Sequence, residues 1–390
     1  MSYSKIFSDL PELTYEVIKY FRNDFSTLYS CILVNRSWCR LAIPLLWENP
    51  FSIPKQNYNF IGIYLCNLND ELKAKLNEYK INDNLFPSNT LFNYPIFLKY
   101  LDTQNIISSI KGWSKDVIRT LNIEYNSVFK FKRLIHISLF KIFIENEVNI
   151  HTINIHFNHY YIHDYIDDMF ELMLQYPDFF HNIRNLKSHF IGPSLGHTTK
   201  NSISQMINLH QNLKKMTLQG ITNLDKLLNL TEDAKQNLNY LSINVINTIS
   251  SSAIEFSSTI LRNLGQILPF KLEYLNLALI IKYMDDFEIF LKNSQNTFIK
   301  KLLITNWKMN DEKCQVIHDS ILFYTKEYIM KKKRVKYLAI VNYFSNTVNN
   351  DLFSFKDEVK EFELYNIKIQ KYKDLVIDNK LNFIEELEDF

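Results

Sequence analysis

Two stretches carry residue types suited to chemistry. Gly192-Pro193-Ser194-Leu195-Gly196 matches G-x-S-x-G, the pattern that holds a serine nucleophile on a tight strand-to-helix turn and would serve ester or amide hydrolysis. That chemistry also needs an oxyanion hole, whose backbone donors usually come from another glycine-rich turn, and no such turn exists in the chain. His197-Thr198-Thr199-Lys200 follows, and a polar loop accounts for the match. His151, His156, His159 and His163 stand beside Asp164, Asp167 and Asp168, side chains that ligate metals. Their spacings resemble no zinc motif; the first two fall on an expected strand and the last opens an expected helix. Only six glycines occur in the whole chain, too few and too scattered for the loops that cradle phosphates, so kinase, ATPase and dehydrogenase classes fall away. No catalytic residue, metal or cofactor is expected.

Length and composition bound the elements around these groups. The 390 residues accommodate a small N-terminal module plus one large or two medium domains, and 46% hydrophobic content is enough for a core. A formal net charge of +2 lacks the basic footprint of a nucleic-acid binder, so no nucleic-acid partner is expected. Cys31, Cys39, Cys66 and Cys314 are scattered without paired spacing, as in a reducing compartment. The opening MSYSKIFSDLPEL has no charged lead before an apolar stretch, and nothing downstream approaches ~18 uninterrupted apolar residues. A cytoplasmic and/or nuclear protein with no membrane partner is expected.

Residues 9–50 predict three short helices. Ser8 and Asp9 are candidate caps before Leu10-Pro11, and proline suits a first helical turn, where its missing N–H would find no intrahelical partner. Leu13, Val17, Ile18 and Phe21 recur at helical spacing, with Glu12, Glu16 and Lys19 on the other side. Asn23 or Asp24 ends that helix and caps a second, which carries Leu28, Cys31, Ile32 and Val34. Trp38, Leu41 and Ile43 lie on a third, which Pro44 is expected to break. A unit of roughly 40 residues buries too little surface to be comfortable alone, so an apolar side left over on it is best explained by a partner. The order Leu10-Pro11, then Val34-Asn35-Arg36-Ser37-Trp38-Cys39-Arg40, then Leu45-Leu46-Trp47 resembles the F-box, the helical module that docks F-box proteins onto the Skp-type adaptor of SCF ubiquitin ligases. Where family members commonly carry cysteine, this chain has Asn35. The resemblance implies adaptor contact through Leu10, Pro11, Leu13, Val17, Ile18, Leu28, Val34, Trp38, Leu45 and Trp47, and through the adaptor a link to cullin and RING subunits.

Further along, an apolar-x-x-apolar-x-apolar pattern starts at Ile118, Ile150, Leu213, Leu238, Leu272, Ile299, Val335 and Val359, and more loosely at Ile183, with intervals of 24–36 residues. These copies resemble the strand of leucine-rich repeats, L-x-x-L-x-L within a period of roughly 20–29 residues. The asparagine that often follows such a strand appears as Asn126 and Asn158, whereas Ile246, Ile280 and Trp307 take the later places. Segments 164–175, 251–268, 283–293 and 311–333 have helical character, and 134–139 fits either an extra strand or part of a helix. One copy cannot bury its own apolar face, so the copies must stack around a shared core. The expected fold is an α+β or α/β solenoid: a three-helix F-box module (1–50), a mostly helical connector (51–114), and an irregular leucine-rich-repeat-like arc of short parallel strands and outer helices (115–390). An irregular α+β or all-helical repeat domain is the competing arrangement.

Strand side chains alternate between faces, so the non-core positions nominate a target surface. Asn122, Asn154, His156, Lys187, Ser242, Asn244, Asn276 and Thr305 fall there, with Tyr240, Tyr274 and Tyr337 as aromatic anchors of the kind enriched at interfaces. Together with this surface, the F-box resemblance implies a non-catalytic substrate receptor that brings the lysines of a captured protein near a ubiquitin-charged enzyme, acting by proximity. A non-ligase interaction scaffold on a repeat domain is the alternative, and a hydrolase using residues 192–196 the remote one.

Overall fold

The computed structural model describes residues 10–53, 58–81, 90–121, 123–158, 163–191, 212–220, 237–245, 251–308, 314–344 and 350–376. The chain is mixed α/β and divides into two units, Met1–Ile155 with Ile162–Ile183, and His156–Tyr161 with Arg184–Phe390.

The first unit opens with α1 (Pro11–Lys19), α2 (Phe25–Ile32) and α3 (Arg36–Leu46). Pro11 occupies the first turn of α1 as its missing N–H allows. Asp24 caps α2 by accepting the Thr27 N–H at 3.1 Å, and Asn35 caps α3 by accepting the Trp38 N–H at 2.9 Å. Asn35 therefore has a local structural task. Pro44 does not break α3, which runs on to Leu46. So close to the C-terminal end, proline removes one backbone donor while the chain closes the last turn through the Trp47 N–H to the Ile43 carbonyl, 3.0 Å. Ile18, Leu28, Cys31, Ala42 and Leu45 form the core of this bundle, with Trp38 and Leu41 packed against it.

Downstream come α4 (Phe60–Leu65), α5 (Asp70–Asn77), β1 (Tyr100–Asp102), α6 (Thr103–Leu121), α7 (Tyr125–Glu145), β2 (Thr152–Asn158) and α8 (His163–Leu174). Trp47 ties the bundle to this stretch, its ring lying 5.2 Å from Tyr64 and 4.2 Å from Tyr94. β1 pairs in parallel with the start of β2, Leu101 opposite Ile153. The strand copy expected at Ile118 is instead the end of α6, and 134–139 lies within α7. An i,i+3 apolar pair suits a helix as well as a strand, and the buried Ile106 and Ile110 extend the helical period backwards from Ile118. Helix thus continues beyond the expected boundary at 114, and Asn126 sits in the first turn of α7 rather than after a strand.

In the second unit, β3 (Asn185–Ile191), β4 (Lys215–Gln219), β5 (Tyr240–Asn244), β6 (Tyr274–Leu279), β7 (Ile299–Lys308) and β8 (Val335–Phe344) neighbour one another in chain order, and all these pairings are parallel. The hexapeptide copies align without slippage: Leu186, Met216, Leu241, Leu275, Leu302 and Leu338 form one buried row. Leu218, Ile243, Leu277, Ile304 and Ile340 form the next. Between strands run α9 (Ser251–Ile267), α10 (Met284–Asn293) and α11 (Cys314–Thr325), the last continued by a π-helical turn, Lys326–Met330. The buried Asp286 of α10 accepts Ser258 Oγ and Arg262 Nε of α9, each at 2.5 Å. Arg334, itself buried, donates to the carbonyls of Leu291 (3.0 Å), Ser294 and Thr297 (3.4 Å), and so satisfies the C-terminal end of α10.

After β7 and β8 an asparagine stands one residue earlier than the place it takes in leucine-rich repeats. Asn306 and Asn342 are register partners, both buried, and Asn306 Nδ2 donates to Asn342 Oδ1 at 3.0 Å. Asn306 Oδ1 accepts the Ile281 N–H at 2.9 Å, and Ser257 Oγ accepts the Ile280 N–H at 3.0 Å. The chain leaving β6 would otherwise bury unsatisfied donors.

The unit closes with β9 (Asn350–Asp351), α12 (Lys356–Glu363), β10 (Lys368–Ile369) and α13 (Tyr372–Leu375). The copy expected from Val359 is therefore helical; β10 pairs with β8 instead, Lys368 opposite Tyr337. Asp357 and Glu358 in the first turn and Lys360 in the last suit the dipole of α12, and one buried Phe362 holds it down.

Candidate functional site

Two surfaces collect the candidate residues, one in each unit. On the three-helix bundle, Leu10, Leu13 and Val17 of the α1 side and Leu33 and Val34 of the turn before α3 stay exposed, at 43, 56, 41, 72 and 58% respectively. Pro11 is exposed beside them, and Trp38 is half-buried. Leu10, Leu13 and Val17 succeed one another at i, i+3 and i+7, and large apolar side chains exposed along one helix side mark interaction surfaces. Ile18, Leu28, Leu45 and Trp47 are not available to a partner: the first three belong to the bundle core and Trp47 is enclosed by Tyr64 and Tyr94. The sequence pattern marks apolar faces but does not separate the stripe that closes the bundle from the stripe left over. Tyr29 (61% exposed) and Leu33 were missed by that pattern. Their i,i+4 spacing across the end of α2 was the available signal.

On the sheet of the second unit, the row opposite the core reads Lys187, Thr217, Ser242, Asn276, Leu303, Ala339 across consecutive strands. It passes from polar to apolar, and the apolar end is covered by the chain itself. Leu375 packs with Tyr240, Tyr274, Leu303 and Ala339 in one buried cluster, with Tyr337, Tyr372 and Val376 against it. Tyr372 Oη donates to Asn276 Oδ1 at 3.0 Å, Asn276 Nδ2 donates to Ser242 Oγ at 3.2 Å, and Asp351 Oδ2 accepts the Tyr372 N–H at 3.3 Å. Burying Leu375 alone contributes ~1.5–3 kcal/mol.

Tyr240, Ser242, Tyr274 and Thr305, expected as open surface, are therefore buried. The rings of Tyr240 and Tyr274 stack at 4.3 Å. Burial pushes the Tyr240 phenol up to about 12, with the neighbouring Tyr372 adding to the rise against the hydrogen bonds of Tyr274, Thr217 and Ser242. It stays protonated at neutral pH and acts by shape and hydrogen bonding. Lys187, Asn244, Asn276 and Tyr337 are half-exposed, as are Asn154 and His156. Asn154 Nδ2 donates to Asp102 Oδ2 at 2.6 Å in the first unit, and the His156 ring stacks on His189 at 4.5 Å. Asn122 lies outside the described residues, as do residues 192–196.

Of the histidine and aspartate cluster, Asp168 is taken by a two-pronged ion pair with Arg133, both contacts at 2.5 Å. Among the described residues, no three His, Cys, Asp or Glu side chains gather as metal ligands would, and no helix is long and apolar enough to cross a membrane. A cleft of about 570 Å³, which the sequence pattern did not point to, lies at the N-terminal ends of β4 to β6 beside Lys214, Asn239 and Glu273, flanked by the exposed Phe270 and Phe298. No protein-family model matches this chain, and no curated protein is similar to it.

Proposed function

We propose that this chain is the substrate receptor of an SCF-type ubiquitin ligase, docking a Skp-type adaptor through its N-terminal helices and holding a protein target on the second unit. The observation that carries the reading is the exposed apolar group Leu10, Leu13, Val17, Leu33 and Val34 on a bundle that already has a complete core of its own. Residues kept out of that core and out of water's favour need another chain to cover them. Cullin and RING subunits join through the adaptor, and no residue of this chain enters the chemistry. Target lysines are brought near the charged enzyme by tethering, which raises their effective concentration.

The test is binding of the full chain to a purified Skp-type adaptor. A hot-spot residue costs about 2 kcal/mol or more when lost, roughly 30-fold in affinity. Leu13→Asp, and separately Leu10→Ala with Pro11→Ala, should weaken adaptor binding by at least that factor while leaving the melting temperature unchanged, since these side chains pack in no core. Undiminished binding, or none by the unaltered chain, refutes the reading.

A further inference from the structure

The strand face of β6 to β8 has an occupant whose chemistry defines what it accepts. Residues 372–376 lie on it as one helical turn, so Tyr372 and Leu375, spaced i and i+3, share a side. Leu375 enters the cluster of Tyr240, Tyr274, Leu303 and Ala339, and the Tyr372 hydroxyl meets the Asn276 amide oxygen at 3.0 Å. The geometry points to a peptide-docking groove for a one-turn helical segment carrying tyrosine followed three residues later by leucine, held closed in the resting chain by its own residues 372–376. A protein partner bearing that pair displaces the cis segment and takes its place.

Three observations support exchange over permanent closure. The segment is held by a single helical turn and by a two-residue strand, β10, in contrast to the long ladder that joins β7 to β8. Residues Lys371, Lys373 and Asp374 around the two anchors are exposed, so the side chains that the cis segment lays on the sheet are Tyr372, Leu375 and the half-buried Val376. The groove beneath does not depend on the segment, with Tyr240 and Tyr274 stacked and Leu303 and Ala339 paired across the long β7–β8 ladder, so it persists when the segment leaves. Segments that open locally in this way are those with few buried contacts. A ligand that binds only the open form shifts the population toward it.

This inference deepens the target-binding half of the proposed function and rests on it, but not on the adaptor half. The probe is a fluorescent peptide of residues 369–376, Ile-Gln-Lys-Tyr-Lys-Asp-Leu-Val, titrated against the full chain and followed by anisotropy. Removing the cis anchors with Tyr372→Ala and Leu375→Ala should raise peptide affinity at least tenfold over the unaltered chain. Adding Asn276→Ala should reverse most of that gain, and a peptide with its own tyrosine and leucine replaced by alanine should not bind. Equal affinity for the unaltered and double-substituted chains, or no binding by the folded double variant, overturns the proposal. Hydrogen exchange of the unaltered chain needs no substitution: amides of residues 371–376 should exchange at least tenfold faster than those of β8, and exchange locked to that of β8 overturns it equally. Adaptor binding is measured separately with Leu13→Asp, which leaves peptide binding intact, so either half can fail alone.

Discussion

Acid lability of the first unit should trace to a single histidine. His136 lies in the middle of α7, 1% exposed, with its ring 5.0 Å from Phe140 and Phe131 and Phe143 buried along the same helix. Burial lowers its pKa from 6.5 to about 4, against the smaller opposing pull of the Asp168 carboxylate. In the unfolded chain the imidazole titrates near 6.5. Between these two values the unfolded state binds more protons than the folded one, so stability rises with pH across that window. The contribution is complete above about pH 6.5 and is lost as pH falls toward 4. Over the whole window the loss amounts to about 3 kcal/mol, and between pH 7.5 and pH 5.0 to about 2 kcal/mol. His136→Phe keeps a ring against Phe140 and removes the proton site. Urea unfolding of both full-length proteins at pH 7.5, 6.5, 5.5 and 5.0, followed by tryptophan fluorescence, separates this effect from the carboxylates the two share. The stability difference should move by about 2 kcal/mol in favour of the variant as pH drops to 5.0. A difference constant to within about 0.5 kcal/mol over that range refutes the assignment.

Two further outcomes test how the second unit is held. Arg334→Met removes the buried guanidinium that donates to the Leu291, Ser294 and Thr297 carbonyls at the end of α10, a loss of about 3 kcal/mol in urea unfolding, because hydrogen bonds from a charged donor are worth more than neutral ones. Its guanidinium, lowered by burial to about 10, stays charged at neutral pH, so the loss should be the same at pH 6 and pH 8. Gly265→Ala should destabilise by about 1–3 kcal/mol although alanine is the better helix former, since a Cβ there would stand 2.7 Å from the Phe290 carbonyl oxygen of α10. A raised thermal midpoint for Gly265→Ala would show that α9 and α10 do not pack this closely.

Much of the second unit was legible because the hexapeptide spacing carries its own register. The copies from Leu213, Leu238, Leu272, Ile299 and Val335 all became strands, and their apolar rows meet without slippage. The copies at Ile118 and Val359 became helix ends because apolar-x-x-apolar is compatible with both periods, and only flanking residues such as Ile106, Ile110, Asp357 and Glu358 tip the balance. The stacked asparagines are legible one residue before the usual place: Ile304-Thr-Asn306 and Ile340-Val-Asn342 carry the same spacing. In the bundle, Asp24 was readable as a cap by type, whereas Asn35 stood out only as a departure from the family's usual cysteine. Which apolar residues would remain outside was not readable, since Leu13 and Ile18 are alike in type and a helical projection does not say which side the other two helices cover.

The sharper lesson lies in how the chain treats its two apolar surfaces. At one register position the sheet face holds Thr217, Ser242 and Asn276 and then changes to Leu303 and Ala339, residues that a solvated strand face does not favour. That change alone requires something to lie over β7 and β8, and the chain supplies it from its own residues 372–376. The bundle shows the same excess of apolar residues at Leu10, Leu13, Val17, Leu33 and Val34, and there the described residues supply no cover. Both surfaces arise from one rule, that apolar area unneeded for a local core must still leave water. They differ in who provides the cover: the sheet face is covered in cis by one short helical turn. A variant that releases Leu375 should therefore make the sheet face behave as the bundle face does, binding in trans what the intact chain binds in cis.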